Sequence, residues 1–245
     1  REGGLFLISL GDSGTPASPS VRVEVADLDK ESGMANSITF YTNPMSRGQI
    51  ARWMLEEVGE PYETVVLDYG TTMKAPEYLA INPMGKVPAI RHGDVVVTEG
   101  AAICAYMADA FPDRGLAPSP GDPLRGSYFR WLFFGAGPVE TAVTNNYLNW
   151  EPTPEQSMMV GYGSYAKVLD VLEGLVGSQA YLLGERFSAL DVYLGSQIAW
   201  GIGFGTMEKR PGFEEYVARI TDRPAYRRAK EMDQALMPKK ETQPA

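Results

Sequence analysis

The chain has one cysteine and one histidine, Cys104 and His92, among 245 residues. A single cysteine cannot close an internal disulfide, which suits a reducing compartment. A zinc site of Cys and His ligands is nearly excluded, so no metal is expected. A Ser-His-Asp triad has only His92 to draw on. Positive charge is scarce as well. The 22 Lys and Arg stand against 31 Asp and Glu, a formal net charge of −9. No basic stripe offsets this, so neither nucleic acid nor an anionic membrane surface is an expected partner. No apolar run approaches the roughly 20 residues that span a bilayer. The apolar start "LFLIS" (Leu5 to Ser9) is brief for a signal peptide and runs into a Gly/Ser/Pro-rich tract.

What is present is ordinary for a globular protein: 44% hydrophobic and 22% charged residues. The length allows one large domain or two small ones. Residues 1–35 read as a leader or unstructured extension, with Met34 as the natural start and an added strand as the alternative. From Ser37 the texture changes. "SITFY" (Ser37 to Tyr41) is strand-like. A helix follows, with Ile50, Trp53, Met54 and Val58 on one face while Arg52, Glu56 and Glu60 point elsewhere. Gly59 and Pro61 end it. "YETVVLD" (Tyr62 to Asp68) is a second strand, and "PEYLAIN" a short helix. "KVPAIRHGDVVVTEG" (Lys86 to Gly100) reads as a hairpin turning at His92-Gly93-Asp94. "GAAICAYMADAF" is helical again, and Pro112 stops it.

The order β-α-β-α-β-β-α predicts one sheet with helices packed on it, an α/β domain over 36–116. "APSPGDP" (117–123) is a linker. An all-α domain follows over 124–235, with a tail at 236–245. In it, "FSALDV" (Phe187 to Val192) is a helix start, with Ser188 as cap and Asp191 reaching back.

Three pieces carry a family resemblance: "NPMGKVPAI" (Asn82 to Ile90), "VTEGAAICAYMADAFPD" (Val97 to Asp113) and "GERFSALDVYLG" (Gly184 to Gly195). In this order, after a β-α-β start, the chain resembles the cytosolic glutathione transferases over nearly all of 37–235. The "TEG" form and "SRGQIARWMLEEVGEPYE" resemble bacterial members of beta, theta or nu type. The resemblance implies a thioredoxin-like N-terminal domain, an all-helical C-terminal domain, a cytoplasmic homodimer, glutathione as co-substrate and a role in detoxification. The expected activity is conjugation of the glutathione thiolate to a hydrophobic electrophile. A glutathione-dependent isomerase, dehalogenase or peroxidase on the same fold is the alternative, and so is a non-catalytic adaptor.

Glutathione presents two carboxylates, an amine and a thiol. In the resemblance, Val87 pairs with its backbone across a cis Val87–Pro88 bond, with a trans Pro88 on an edge strand as the alternative. Glu99 takes its α-amine and the Gly100 amide its carboxylate, with Thr98 as helix cap and close approach allowed by the missing Cβ of Gly100. The alternative for Glu99 is a plain helix-dipole partner. Lys86 meets the glycyl carboxylate or stays solvated.

The thiol end falls on "YTNPMSRGQIARWML" (Tyr41 to Leu55). A free thiol has a pKa of about 8.5. Bringing it to about 7 takes roughly 2 kcal/mol. A helix N-terminus supplies roughly 0.3–1 kcal/mol, and a hydrogen bond to a charged acceptor roughly 1.5–3 kcal/mol. One donor plus the helix end suffices without a general base. Family members use Tyr, Ser or Cys near this junction, whereas Asn43 precedes the proline here. The candidates are Asn43, Ser46 (which can also form a capping box with Gln49) and Tyr41 or a backbone amide. Cys104 is read as a packed core residue, not a redox thiol. Tyr128, Trp131 and Phe134 are candidates to line the electrophile site, with interdomain core as the alternative.

Overall fold

Strand β1 (Ile38–Thr42) alternates buried and half-buried residues, the period-2 signature of a strand with one face on a core. It lies inside a four-stranded sheet of order β2-β1-β3-β4, where β2 is Tyr62–Val66, β3 Ala89–His92 and β4 Val95–Thr98. β1 and β2 run parallel, with Phe40 opposite Thr64. β3 runs antiparallel to both neighbours, with Ile90 opposite Phe40 and Val97. The parallel pair needs a crossover, and helix α1 (Gly48–Val58) provides it. The chain is described over residues 37–237 of a computed structural model. The leader expected at 1–35, and all but two residues of the expected tail, lie outside those residues.

Helix α1 buries Ile50, Trp53, Met54 and Val58, the face its spacing predicts, and Gly59 closes it in a left-handed conformation. Arg52 departs from the expectation. It is not on a solvent face but 1% exposed, because an acidic partner from the far end of the chain packs over it. The short α2 (Pro76–Leu79) leads to the β3–β4 hairpin, and α3 (Gly100–Ala110) packs back on α1. Its Cys104 is fully buried in the core, as the sequence suggests.

Beyond the 3-10 turn Pro112–Arg114 all described elements are helical. They are α4 (Leu124–Phe134), a π-helical turn (Gly135–Val139), α5 (Glu140–Tyr147), α6 (Pro154–Ser157), α7 (Tyr165–Val176), α8 (Ala189–Phe204), α9 (Pro211–Thr221) and α10 (Pro224–Ala235). Buried α8 is the axle of this domain. Its Asp191 takes the Ser188 amide and the Leu182 amide, each at 2.9 Å, and the Tyr216 hydroxyl at 2.9 Å. Burial pushes that carboxyl up, and these hydrogen bonds pull it down. Tyr193 and Leu194 of α8 lie against Gly135, where a Cβ would come within 3.1–3.2 Å of them, so a side chain there would push those two by a few tenths of an ångström. α10 crosses back onto α1, so the last described helix rests on the first. The result is a thioredoxin-like α/β domain joined to an all-helical one. Among the described residues no helix is long and apolar enough to cross a membrane.

Candidate active site

A cleft of about 820 Å³ opens where the two domains face each other. The α/β side supplies Ser46, Arg47, Lys74, Lys86 and Val87. The helical side supplies Val139, Glu140, Val143, Trp200 and Phe204. The cations of the lining, Arg47, Lys74 and Lys86, thus all stand on the α/β side, and both of its Trp and Phe rings, Trp200 and Phe204, on the helical side. A second cavity, about 830 Å³, is walled by Trp150, Tyr162, Tyr165 and other residues of the helical domain. It takes nothing from the β1–α1 junction or from the loop before β3.

The β1–α1 junction is organised around the Asn43 carbonyl. It accepts from the Ser46 hydroxyl at 2.6 Å, the Ser46 amide at 3.1 Å and the Thr42 hydroxyl at 3.4 Å. The Asn43 side chain is turned inward. Its Nδ2 donates to the Leu67 carbonyl at 2.8 Å and its Oδ1 accepts from the Met45 amide at 3.0 Å. Asn43 therefore stitches the end of β1 to the end of β2, and it does not line the cleft. Tyr41 does not line it either, since its ring packs on Tyr78 at 5.6 Å. Ser46 alone of the three thiol candidates reaches the cleft.

The capping box expected of Ser46 and Gln49 is not formed. Ser46 Oγ accepts from the Gly48 amide at 2.9 Å, while the Gln49 side chain donates to the Pro44 carbonyl at 2.6 Å. The turn Asn43–Ser46 has already taken the Ser46 amide, so nothing is left there for Gln49 to cap. Gly48 is required by packing, because a Cβ there would overlap Thr42 Oγ1 and come within 2.9 Å of Ser46 Oγ.

The loop before β3 is pinned from behind. Tyr78 Oη and Asn82 Nδ2 donate to the Lys86 carbonyl at 2.5 and 2.8 Å, and Lys74 Nζ donates to Gly85 at 2.7 Å. Burial pushes the Tyr78 hydroxyl up to about 12. The Val87–Pro88 bond is cis. Among the described residues neither backbone group of Val87 has a hydrogen-bond partner, so both are available to a ligand strand.

Glu99 and Gly100 open α3 but fall outside the lining of the cleft. Thr98 is not the cap. It ends β4, and the exposed Glu99 holds the cap position at φ 68° with no side-chain hydrogen bond to the helix. A left-handed φ at a non-glycine residue is costly, and such residues gather at ligand sites. The Cβ position of Gly100 points at the Tyr193 ring, 3.4 Å away. A side chain there would meet that ring in ordinary van der Waals contact.

The apolar wall differs from the expected one. Tyr128 is fully buried with its hydroxyl unpartnered, and Trp131 and Phe134 stack edge to face with centroids 5.4 Å apart. None of the three lines the cleft. The wall comes from the next turns, Val139 and Val143, and from Trp200 and Phe204 on α8, whose rings lie 6.3 Å apart. The π turn Gly135–Val139 stands between Phe134 and the rest of that wall, and its last residue, Val139, belongs to the lining. Sequence reasoning also missed Arg47 and Glu140, which form an ion pair between the two domains. Glu140 Oε2 also takes Gln197 Nε2 at 3.5 Å, and Gln197 Nε2 reaches the Tyr193 hydroxyl at 3.0 Å. No local signal marks this pair, because its members are 93 residues apart.

The family model for the glutathione S-transferase N-terminal domain matches residues 45–110. Glutathione S-transferase F10 of Arabidopsis thaliana is 32% identical over 63% of this chain and 76% of its own length. Maleylacetoacetate isomerase of Pseudomonas aeruginosa is 29% identical over 69% of this chain and 82% of its own. A sphingomonad glutathione S-transferase, solved with glutathione bound, superposes with a TM-score of 0.66 at 26% identity, covering 80% of this chain and 98% of that one. With the thioredoxin-like sheet, the cis Val87–Pro88 bond and the cleft between domains, these likenesses place the chain in the glutathione S-transferase family.

Proposed function

We propose that the protein binds glutathione along the α/β side of the cleft and transfers its sulfur to a hydrophobic electrophile held against the helical side. The observation that carries this reading is the lining itself. Ser46, Lys86 and Val87 share one cleft with Val139, Val143, Trp200 and Phe204. Val87 offers an unpaired amide and carbonyl to the tripeptide backbone, and exposed Lys86 a cation to its glycyl carboxylate. Glu99 and the Gly100 amide take the γ-glutamyl end in this reading. Support for it is the exposed carboxylate and left-handed backbone of Glu99 at the start of α3. The thiol lies toward Ser46 and the start of α1, where the helix dipole favours the thiolate. The protein acts as a cytoplasmic homodimer in this reading, and the single cysteine supports a reducing compartment.

Calorimetry with glutathione tests the binding half. Absence of heat at millimolar ligand sinks the reading, and loss of binding in Glu99→Ala locates the γ-glutamyl end. A glutathione-dependent isomerisation is the second reading. The 29% identity to a maleylacetoacetate isomerase favours it. A panel of electrophiles beside cis-enone substrates separates the two, since only conjugation consumes glutathione.

A further inference from the structure

We infer that Arg47 supplies the positive charge that holds glutathione as its thiolate, and that Glu140 sets how much of that charge the sulfur feels. The inference rests on the transferase reading and deepens the same site.

The argument starts from donors already engaged. The Ser46 proton is given to the Asn43 carbonyl at 2.6 Å, and the Ser46 amide points to the same oxygen. The Met45 amide serves Asn43 Oδ1, the Gly48 amide serves Ser46 Oγ, and the Gln49 side chain serves Pro44. Asn43 Nδ2 serves Leu67 away from the cleft. The side-chain donors of Asn43 and Ser46 thus have acceptors inside the protein, and Tyr41, packed on Tyr78, does not line the cleft. Arg47 is the next residue after Ser46, lines the cleft, and keeps its side chain 60% exposed. Its guanidinium has five N–H donors, and among the described residues its one partner is Glu140.

Three further groups line the same space, and Tyr193, which does not, connects to it through Gln197. Lys74 is committed to the Gly85 carbonyl, Lys86 is exposed, and Tyr69 lines the α/β side. Tyr193 reaches Glu140 through Gln197, and burial raises its hydroxyl far above the ordinary range. Arg47 is thus the cation nearest in sequence to the thiol end, and Glu140 is its counter-charge. On ionisation the S–H bond breaks, the electron pair stays on sulfur and the proton leaves to solvent water. Arg47 remains protonated throughout. Its charge favours the thiolate, and the carboxylate of Glu140 opposes it.

The test uses the full chain and reads the pH dependence of the ultraviolet band of bound thiolate. Arg47→Gln and Glu140→Gln break the same ion pair, so a purely structural role moves both the same way. The electrostatic role moves them in opposite directions. Arg47→Gln raises the thiol pKa and Glu140→Gln lowers it, each by roughly half a unit, the scale of a partly exposed charge pair. Arg47→Lys stays near the parent value. Calorimetry with S-methylglutathione, which has no proton to lose, gives the parent affinity in Arg47→Gln. If both variants shift together or neither shifts, the inference falls while glutathione binding stands. If the unaltered protein binds neither ligand, the transferase reading falls and takes the inference with it. Should Arg47→Gln fail to fold, Glu140→Gln decides: a lowered pKa supports the inference, and an unchanged or raised one overturns it.

Discussion

Arg52 Nε on α1 donates to the Asp233 carboxylate on α10 at 2.7 Å, with 1% and 3% of the two residues exposed. The pair ties together positions 181 residues apart. Arg52 also lies over the Phe40 ring, 5.1 Å from its centroid, and one of its nitrogens, Nη2, has no partner among the described residues. Burial pushes the Asp233 carboxyl up, and the Arg52 charge pulls it back. Removing one member strands the other charge in the core. Asp233→Ala is expected to cost about 3–5 kcal/mol. The double variant Arg52→Met/Asp233→Leu recovers most of that. Urea midpoints of the parent, the single and the double variant check it, and a double variant as weak as the single refutes it.

Gly48 is the tightest point of the β1–α1 junction. Gly48→Ala drives a methyl into Thr42 Oγ1 and is expected to cost about 1–3 kcal/mol, with weaker glutathione binding because Ser46 is displaced. Thr42→Ala removes the obstacle, so the pair Thr42→Ala/Gly48→Ala lies nearer the parent in stability than the sum of its singles. Thermal melts and glutathione titrations of the four proteins form the cycle. Additive effects would show that the overlap is not the cause.

Cys104 is fully buried, and burial pushes its thiol far above the ordinary value. The thiolate is the reactive species, so the native protein leaves a disulfide reagent untouched at mildly alkaline pH and releases one equivalent when unfolded. The sign of the stability effect follows. Below the unfolded thiol pKa of about 8.5 both states keep the proton, and above it only the unfolded state ionises, so stability falls as pH rises further. Cys104→Ala removes this alkaline loss, at the expense of a small cavity. A native thiol that reacts as fast as the unfolded one would refute the assignment.

Trp200 lies on the helical side, four residues before Phe204 on α8. Trp200→Ala is expected to raise the KM for an aromatic electrophile about tenfold, the scale of one lost aromatic contact, and to leave glutathione affinity within about twofold. Tyr128→Phe makes the control, because Tyr128 is buried away from the cleft. Steady-state kinetics with each substrate varied in turn reads both. A change in glutathione affinity alone would move Trp200 to the other side of the site.

Much of the α/β domain was legible because its signals are local. The period-2 run at Ile38–Thr42, the hairpin turn at Gly93 and the apolar face of α1 are each written within a few neighbouring residues. The Ser188–Asp191 cap was legible for the same reason, although its further bonds to Leu182 and Tyr216 were not. Arg52 was misread because helical periodicity describes one helix against one core, whereas α10 covers a second face of α1. Tyr128, Trp131 and Phe134 looked like a wall because they are aromatic, but the lining takes Val139 and Val143 from the turns that follow them.

By itself, then, the sequence determined the order of elements, the proline at the loop before β3 and the polar start of α1, since each depends on contacts between near neighbours. Tertiary structure decided which of those polar groups face a ligand. Asn43 spends its amide on Leu67, 24 residues away, and Ser46 reaches the cleft with its proton already given. Arg47 meets Glu140 only because two domains close on each other. Hydrogen-bond partners and ion pairs are settled by distance in space, and no local pattern in the chain encodes that distance.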